Sequence, residues 1–135
     1  MDTPAQKRLQ VVRAEKAPEP AGHYSQAISH NGLVYVSGQL GVQPESTANQ
    51  ASSIEEQTRI ALANVSEILK AAHSDLSLVI KATVYVSDIG LWDRVNKVYS
   101  EVFGDHRPAR AIVPCKELHF GLQVEIDVVA ATAES

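Results

Sequence analysis

Tyr24-Ser25-Gln26-Ala27-Ile28-Ser29-His30-Asn31-Gly32-Leu33-Val34-Tyr35-Val36-Ser37-Gly38 sets an Asn-Gly step between two β-prone runs. The run before the step alternates from Tyr24 to Ile28, and the run after it is nearly all apolar or β-branched. Asn and Gly tolerate the positive φ that a tight turn between antiparallel strands requires, so this stretch predicts a β-hairpin. Upstream, residues 1 to about 22 hold Pro4, Pro18 and Pro20 and show little periodicity. The first 16 read as an N-terminal arm, and residues 17–135 as one domain.

Downstream, Gln39 to Ser52 carries Gly41, Pro44, Ser46, Thr47 and Asn49 and reads as a loop. Ser53 followed by Glu56 fits a capping box. Ile54, Ala61, Val65, Ile68, Leu69 and Ala72 then recur at helical spacing, which predicts a helix over about 54–72. Leu76 to Val86 is a continuous β-branched run broken only by Lys81, the pattern of a strand buried on at least one face. Ser87 or Asp88 can cap a second helix over about 91–102, which Gly104 ends. Strands over about 109–113 and 122–130 complete a ββαβαββ order. That order belongs to the α+β class: one sheet with both helices on one face. The other face would then be bare, and strands this apolar call for a homo-oligomer packed sheet to sheet.

At 135 residues, with 44% hydrophobic and 21% charged residues, the chain suits a single globular domain. Net charge is −4, and the twelve Lys and Arg are scattered, which argues against a nucleic-acid partner. A lone cysteine, Cys115, permits no intrachain disulfide and fits a reducing compartment. The N-terminal residues lack the apolar centre of a signal peptide, and no run approaches a membrane span. A cytoplasmic protein is expected. The five histidines show no metal-site spacing, and no glycine-rich phosphate loop is present, so neither a metal nor a nucleotide cofactor is expected.

Arg107-Pro108-Ala109-Arg110-Ala111-Ile112-Val113 places Arg110 at the head of an apolar strand. A half-buried arginine keeps its charge and needs an anionic partner. Fifteen residues later Glu125 stands alone among alternating aliphatics, so a cation and an acid are expected on two neighbouring strands. Such a pair can hold a small carboxylate and move a proton beside it. Equally, Glu125 could be the internal ion-pair partner of Arg110 or Lys81. Asn96 and Tyr99 read as packing and capping residues, and Trp92 as the anchor of the second helix.

Tyr24-Ser25-Gln26-Ala27, Val34-Tyr35-Val36-Ser37-Gly38-Gln39, Gln57-Thr58 and Leu62-Ala63-Asn64 recur in an order seen elsewhere. Val79 to Val86, Val95-Asn96-Lys97-Val98-Tyr99, Pro108-Ala109-Arg110 and Val124-Glu125-Ile126 continue it. Together they resemble the RidA/YjgF family of small enamine/imine deaminases over residues 17–130. The resemblance implies a chorismate-mutase-like fold and a homotrimer whose sites lie between subunits. It also implies hydrolysis of 2-aminoacrylate and related 2-imino acids to 2-oxo acids and ammonia, without a cofactor. Arg110 falls on the family's carboxylate-binding arginine, Tyr24 on its pocket tyrosine, Ser37 on its pocket serine and Glu125 on its acid. Where many members carry a cysteine two residues after the arginine, this chain has Ile112, and Cys115 does not inherit that role. His23 replaces a common proline. Residues 113–119 also depart from the best-known members, which leaves open an aminomuconate-type substrate.

The chemistry is coherent on its own terms. Arg110 can grip a carboxylate through two parallel N–H···O bonds. Glu125 can take a proton from the water that attacks the C=N carbon, and Tyr24 or Ser37 can hydrogen-bond to the nitrogen or the water. A non-catalytic sensor of 2-oxo acids or amino acids would use the same Arg110.

Overall fold

The computed structural model describes residues 3–43 and 52–133. One helical turn, α1 (Pro4–Lys7), precedes strand β1 (Gln10–Val12). The hairpin follows as β2 (Ala27–His30) and β3 (Leu33–Leu40). Asn31 and Gly32 form its turn at φ 52° and 79°, and His30 pairs with Leu33 across it. Helix α2 (Ile54–Ala71) leads to β4 (Val79–Val86), α3 (Trp92–Phe103), β5 (Ala109–Pro114) and β6 (Val124–Ala131). The expected elements are all present, but the arm contributes two more, the turn α1 and the strand β1. Gln10–Val12 pair antiparallel with β2, and Val12 is buried in the core. Three residues are too few to show a period, so the sequence offered no signal for this edge strand.

The six strands form one sheet in the order β1-β2-β3-β6-β4-β5. Only β4 and β5 are parallel, and α3 makes their crossover. The α2 capping residue is Ser53, whose side chain accepts the Glu56 N–H. Leu76–Leu78, read as the start of β4, is a 3-10 turn capped by Asp75. Gly104, at φ 65°, ends α3. Gln39 and Leu40, read as loop, belong to β3. Pro44, Ser46, Thr47 and Asn49 of that loop lie outside the described residues.

Strand side chains alternate between two faces. Val34, Val36, Ala82, Val84, Val86, Val124, Ile126, Val128 and Ala130 all point to one side and are buried there. On them pack Leu62, Val65, Ile68 and Leu69 of α2 and Val95, Tyr99 and Phe103 of α3. Among the described residues no helix covers the opposite face. There Val11, Ile28, Tyr35 and Val129 stand level across four strands, an apolar row in which Val11 is 70% exposed. Glu125, Asp127, Thr83 and Tyr85 occupy the other end of that face, all half-buried.

Three buried amides fix the loops that surround this frame. Gln26 accepts the Ala14 N–H (2.7 Å) and donates to the carbonyls of Ala14 (3.1 Å) and Pro18 (2.9 Å), tying the arm down. Asn64 donates to the carbonyls of Leu40 and Val42 (3.2 and 2.8 Å), and Gln57 accepts the Gln123 N–H (2.8 Å). These residues belong to the shared motifs, and their work is architectural.

Gln26→Ala strands several buried backbone groups at once, and each buried unsatisfied group costs about 1–3 kcal/mol. Urea denaturation should show a loss of that order or more, with faster amide exchange at Ala14 and Ala17. Unchanged exchange there would mean that the arm is held by its own packing.

Candidate active site

Arg110 and Glu125 are not on neighbouring strands. β4 lies between β5 and β6. Arg110 pairs with Ala82, which pairs with Val128, whereas Glu125 lies level with Tyr85 and Val113. Three residues along and two strands across separate them, about 10 Å in each direction. They also point to opposite faces. Arg110 shares the helix-covered side with Ala82, and Glu125 lies between the buried Val124 and Ile126, on the open side. Fifteen residues of spacing said nothing of this, because β6 inserts beside β3 rather than beside β5.

The arginine half is built on α3. Arg110 Nη1 donates to Asn96 Oδ1 at 2.9 Å. Its guanidinium carbon lies 4.7 Å from the Tyr99 ring centre and 5.7 Å from that of Trp92. Asn96, Tyr99 and Trp92 stand on one face of the helix at three- and four-residue spacing, so α3 supplies the whole cradle. Asn96, read as packing, is the hydrogen-bond partner that orients the cation. None of the ion pairs among the described residues involves Arg110, so neither Glu125 nor any other described acid neutralises it. The cavity beside it, about 540 Å³, is lined by Asn96, Tyr99, Arg107 and Arg110, among others. Burial raises the Tyr99 phenol pKa, with Arg110 opposing, so it stays neutral under the cation.

The acid half is built on β3 and β6. The register shift between Val36 and Gln39 puts one extra residue into β3 opposite β6, a bulge at Ser37-Gly38. Gly38 faces Glu125 so closely that a Cβ there would lie 2.0 Å from Glu125 Oε2. The missing side chain makes room for the carboxylate. Ser37 Oγ donates to the Ser25 carbonyl at 2.7 Å, which leaves its oxygen lone pairs for an incoming donor. Tyr24 accepts the Ala21 N–H at 3.2 Å through its hydroxyl, which can still donate. Tyr24, Ser37, Gly38 and Glu125 line one cavity of about 450 Å³ with Leu40, His119 and Phe120. Three of the four expected site residues therefore meet on the open face, and Arg110 stands apart.

Burial holds the Glu125 carboxyl pKa above the usual carboxylate range, the Asp127 charge pushes it further, and His119 opposes. Asp127 itself is raised by burial, against the Tyr85 hydroxyl and Lys81. A carboxylate with a raised pKa is a stronger base, which suits proton abstraction. Cys115 sits half-buried beyond β5, its N–H bonded to the Val86 carbonyl. Gly38, Asn96, His119 and Phe120 were missed as site residues. Only Gly38 left a signal, as a glycine inside a strand run.

The family model described as Endoribonuclease L-PSP matches residues 14–132. A RutC family protein of Pyrococcus abyssi is 38% identical over 90% of this chain and 95% of its own. The human 2-iminobutanoate/2-iminopropanoate deaminase is 39% identical over 89% of this chain and 88% of its own. Among solved structures, a putative endoribonuclease L-PSP from Entamoeba histolytica superposes with TM-score 0.87 at 39% identity, covering 91% of this chain and 98% of that one. TdcF of E. coli, crystallised with bound serine, gives 0.86 at 28% identity, covering 92% and 99%.

Titration of the Glu125 carboxyl carbon by NMR should place its midpoint above that of an ordinary glutamate. Asp127→Asn should move the midpoint down, since it removes a like charge while burial remains. A midpoint in the ordinary range would remove the case for Glu125 as a tuned base.

Proposed function

Because the chain belongs to the RidA/YjgF family, we propose that it is a cofactor-free deaminase of 2-aminoacrylate and related 2-imino acids, working as a homotrimer with sites between subunits. One observation carries the reading: a rigidly cradled arginine with no acid partner among the described residues sits on one sheet face, and a proton-hungry glutamate sits on the other. A single subunit cannot bring both to one small substrate. A neighbour that lays its Arg110 edge against the Glu125 face can. Family members named as iminobutanoate/iminopropanoate deaminases at about 40% identity support the reaction class.

In such a cleft Arg110 takes the substrate carboxylate through paired N–H···O bonds, with Asn96 fixing the plane of the fork. 2-Aminoacrylate first tautomerises to its 2-imino acid; water then adds to the carbon of the N-protonated C=N bond while Glu125 accepts the water's proton. The C–N bond of the resulting carbinolamine breaks, ammonia leaves with a returned proton, and the 2-oxo acid remains. Tyr24 donates a hydrogen bond to the departing nitrogen, and Ser37 accepts one from the water. The apolar row Val11, Ile28, Tyr35 and Val129 supplies the face that neighbouring sheets cover. Net charge −4 and scattered basic residues give no support to the ribonuclease in the family description.

Purified protein in an assay that generates 2-aminoacrylate should accelerate release of ammonia and pyruvate. No acceleration with several imino acids would defeat the proposal, and binding of 2-oxo acids without turnover would leave a sensor. Glu125→Gln should abolish turnover and retain ligand binding. The wild-type kcat/KM should fall on the acid side with a midpoint above the ordinary glutamate value, because protonated Glu125 cannot act as base.

Arg110→Lys keeps the charge and loses the fork, and misplacement by about 1 Å can cost about a hundredfold in rate. A kcat/KM loss of about tenfold or more with unchanged mass and Tm is expected. Activity within a factor of about two would make Arg110 an electrostatic anchor only.

A further inference from the structure

The cavity at Glu125 continues past Tyr24, Leu40 and Phe120 into a second cavity of about 280 Å³ whose far walls include Pro18, Pro20 and Val42. Pro18, Pro20, Leu40, Val42 and the two aromatic rings give the apolar part of its wall, and Glu19, Gln26 and Gln39 the polar part. Phe120 lines both. Its backbone lies in the left-handed region (φ 64°, ψ 19°), which an aromatic residue adopts only under constraint. The residue is not spent on the core: it is 42% exposed, and its ring centre lies 5.6 Å from that of His119. Tyr24 opposite it is 50% exposed. Two aromatic side chains are thus held out of the core and line the slot that opens beside Glu125.

An imino acid carbon bears a nitrogen, a carboxylate and a side chain. With the carboxylate on Arg110 and the carbon at Glu125, the side chain is what remains to meet the slot. The geometry points to Phe120 as a specificity-determining residue that selects 2-imino acids with large apolar side chains, of the leucine or phenylalanine size, over three-carbon substrates. This rests on the deaminase reading and names its substrate class.

Imines of alanine size, leucine and phenylalanine should be generated in situ and compared by kcat/KM. The two larger ones are expected to be favoured by about tenfold or more, the scale of an apolar subsite filled by one or two methylenes. Phe120→Asn tolerates the left-handed backbone and removes the apolar wall. It should cut that ratio about fivefold or more with Tm unchanged, while Phe120→Leu retains most of it. A merely structural Phe120 would lower both substrates together and leave the ratio intact, which would overturn the inference. So would a wild-type ratio within a factor of about two. If no imine turns over, the deaminase reading fails separately, and calorimetry then judges the slot. Tighter binding of 4-methyl-2-oxopentanoate than of pyruvate, lost in Phe120→Asn, supports it, and equal affinities overturn it.

Discussion

Alternation along hydrogen-bonded strands is the constraint on which the rest depends. Arg110 is locked level with Ala82, and Glu125 level with Tyr85. Because side chains switch faces at every residue, a shift of one position in either strand would turn the residue to the other side. The buried neighbours Val124, Ile126, Ala82 and Val84 forbid that shift, since it would put aliphatics in water and charges in the core. The core therefore sets the chemistry. It presents a cation on the helix-covered face and an acid on the open face, so one subunit holds the two groups apart.

Each half is then tightened by a local device. On one side α3 offers Asn96 and two aromatic rings, so the guanidinium is held without a carboxylate that would neutralise it. On the other side the β3 bulge and Gly38 bring backbone close enough for the Glu125 carboxylate to lie over it. The half-buried pair of Glu125 and Asp127 on the open face stores protons at higher pH than free carboxyls do. Such groups are costly to leave charged away from water.

Much of the fold was legible because it rests on local signals. Asn31-Gly32, Ser53 with Glu56, and Gly104 mark boundaries that the structure places within a residue or two. The β1 strand was not legible, since three residues of an arm carry no period and pair only because Gln26 holds the segment beside them. Of the candidate site residues, Tyr24, Ser37 and Glu125 line one cavity. Their separation from Arg110 was hidden, because strand order within a sheet is a long-range property that spacing does not encode. Asn96 was hidden for a related reason: its partner Arg110 lies on another element, 14 residues away.

In the proposed assembly, a complete site requires Arg110 of one subunit to work with Glu125 of another. Arg110→Ala and Glu125→Gln chains, each inactive alone, should be co-expressed with different tags and the mixed oligomers purified. In a trimer with one head-to-tail site per interface, each mixed trimer holds one interface with both native residues. Random assembly should then restore about a quarter of wild-type activity before purification, and about a third per mixed trimer after it. Mixed oligomers as inactive as their parents would show that each site draws both residues from one chain, and would contradict the account.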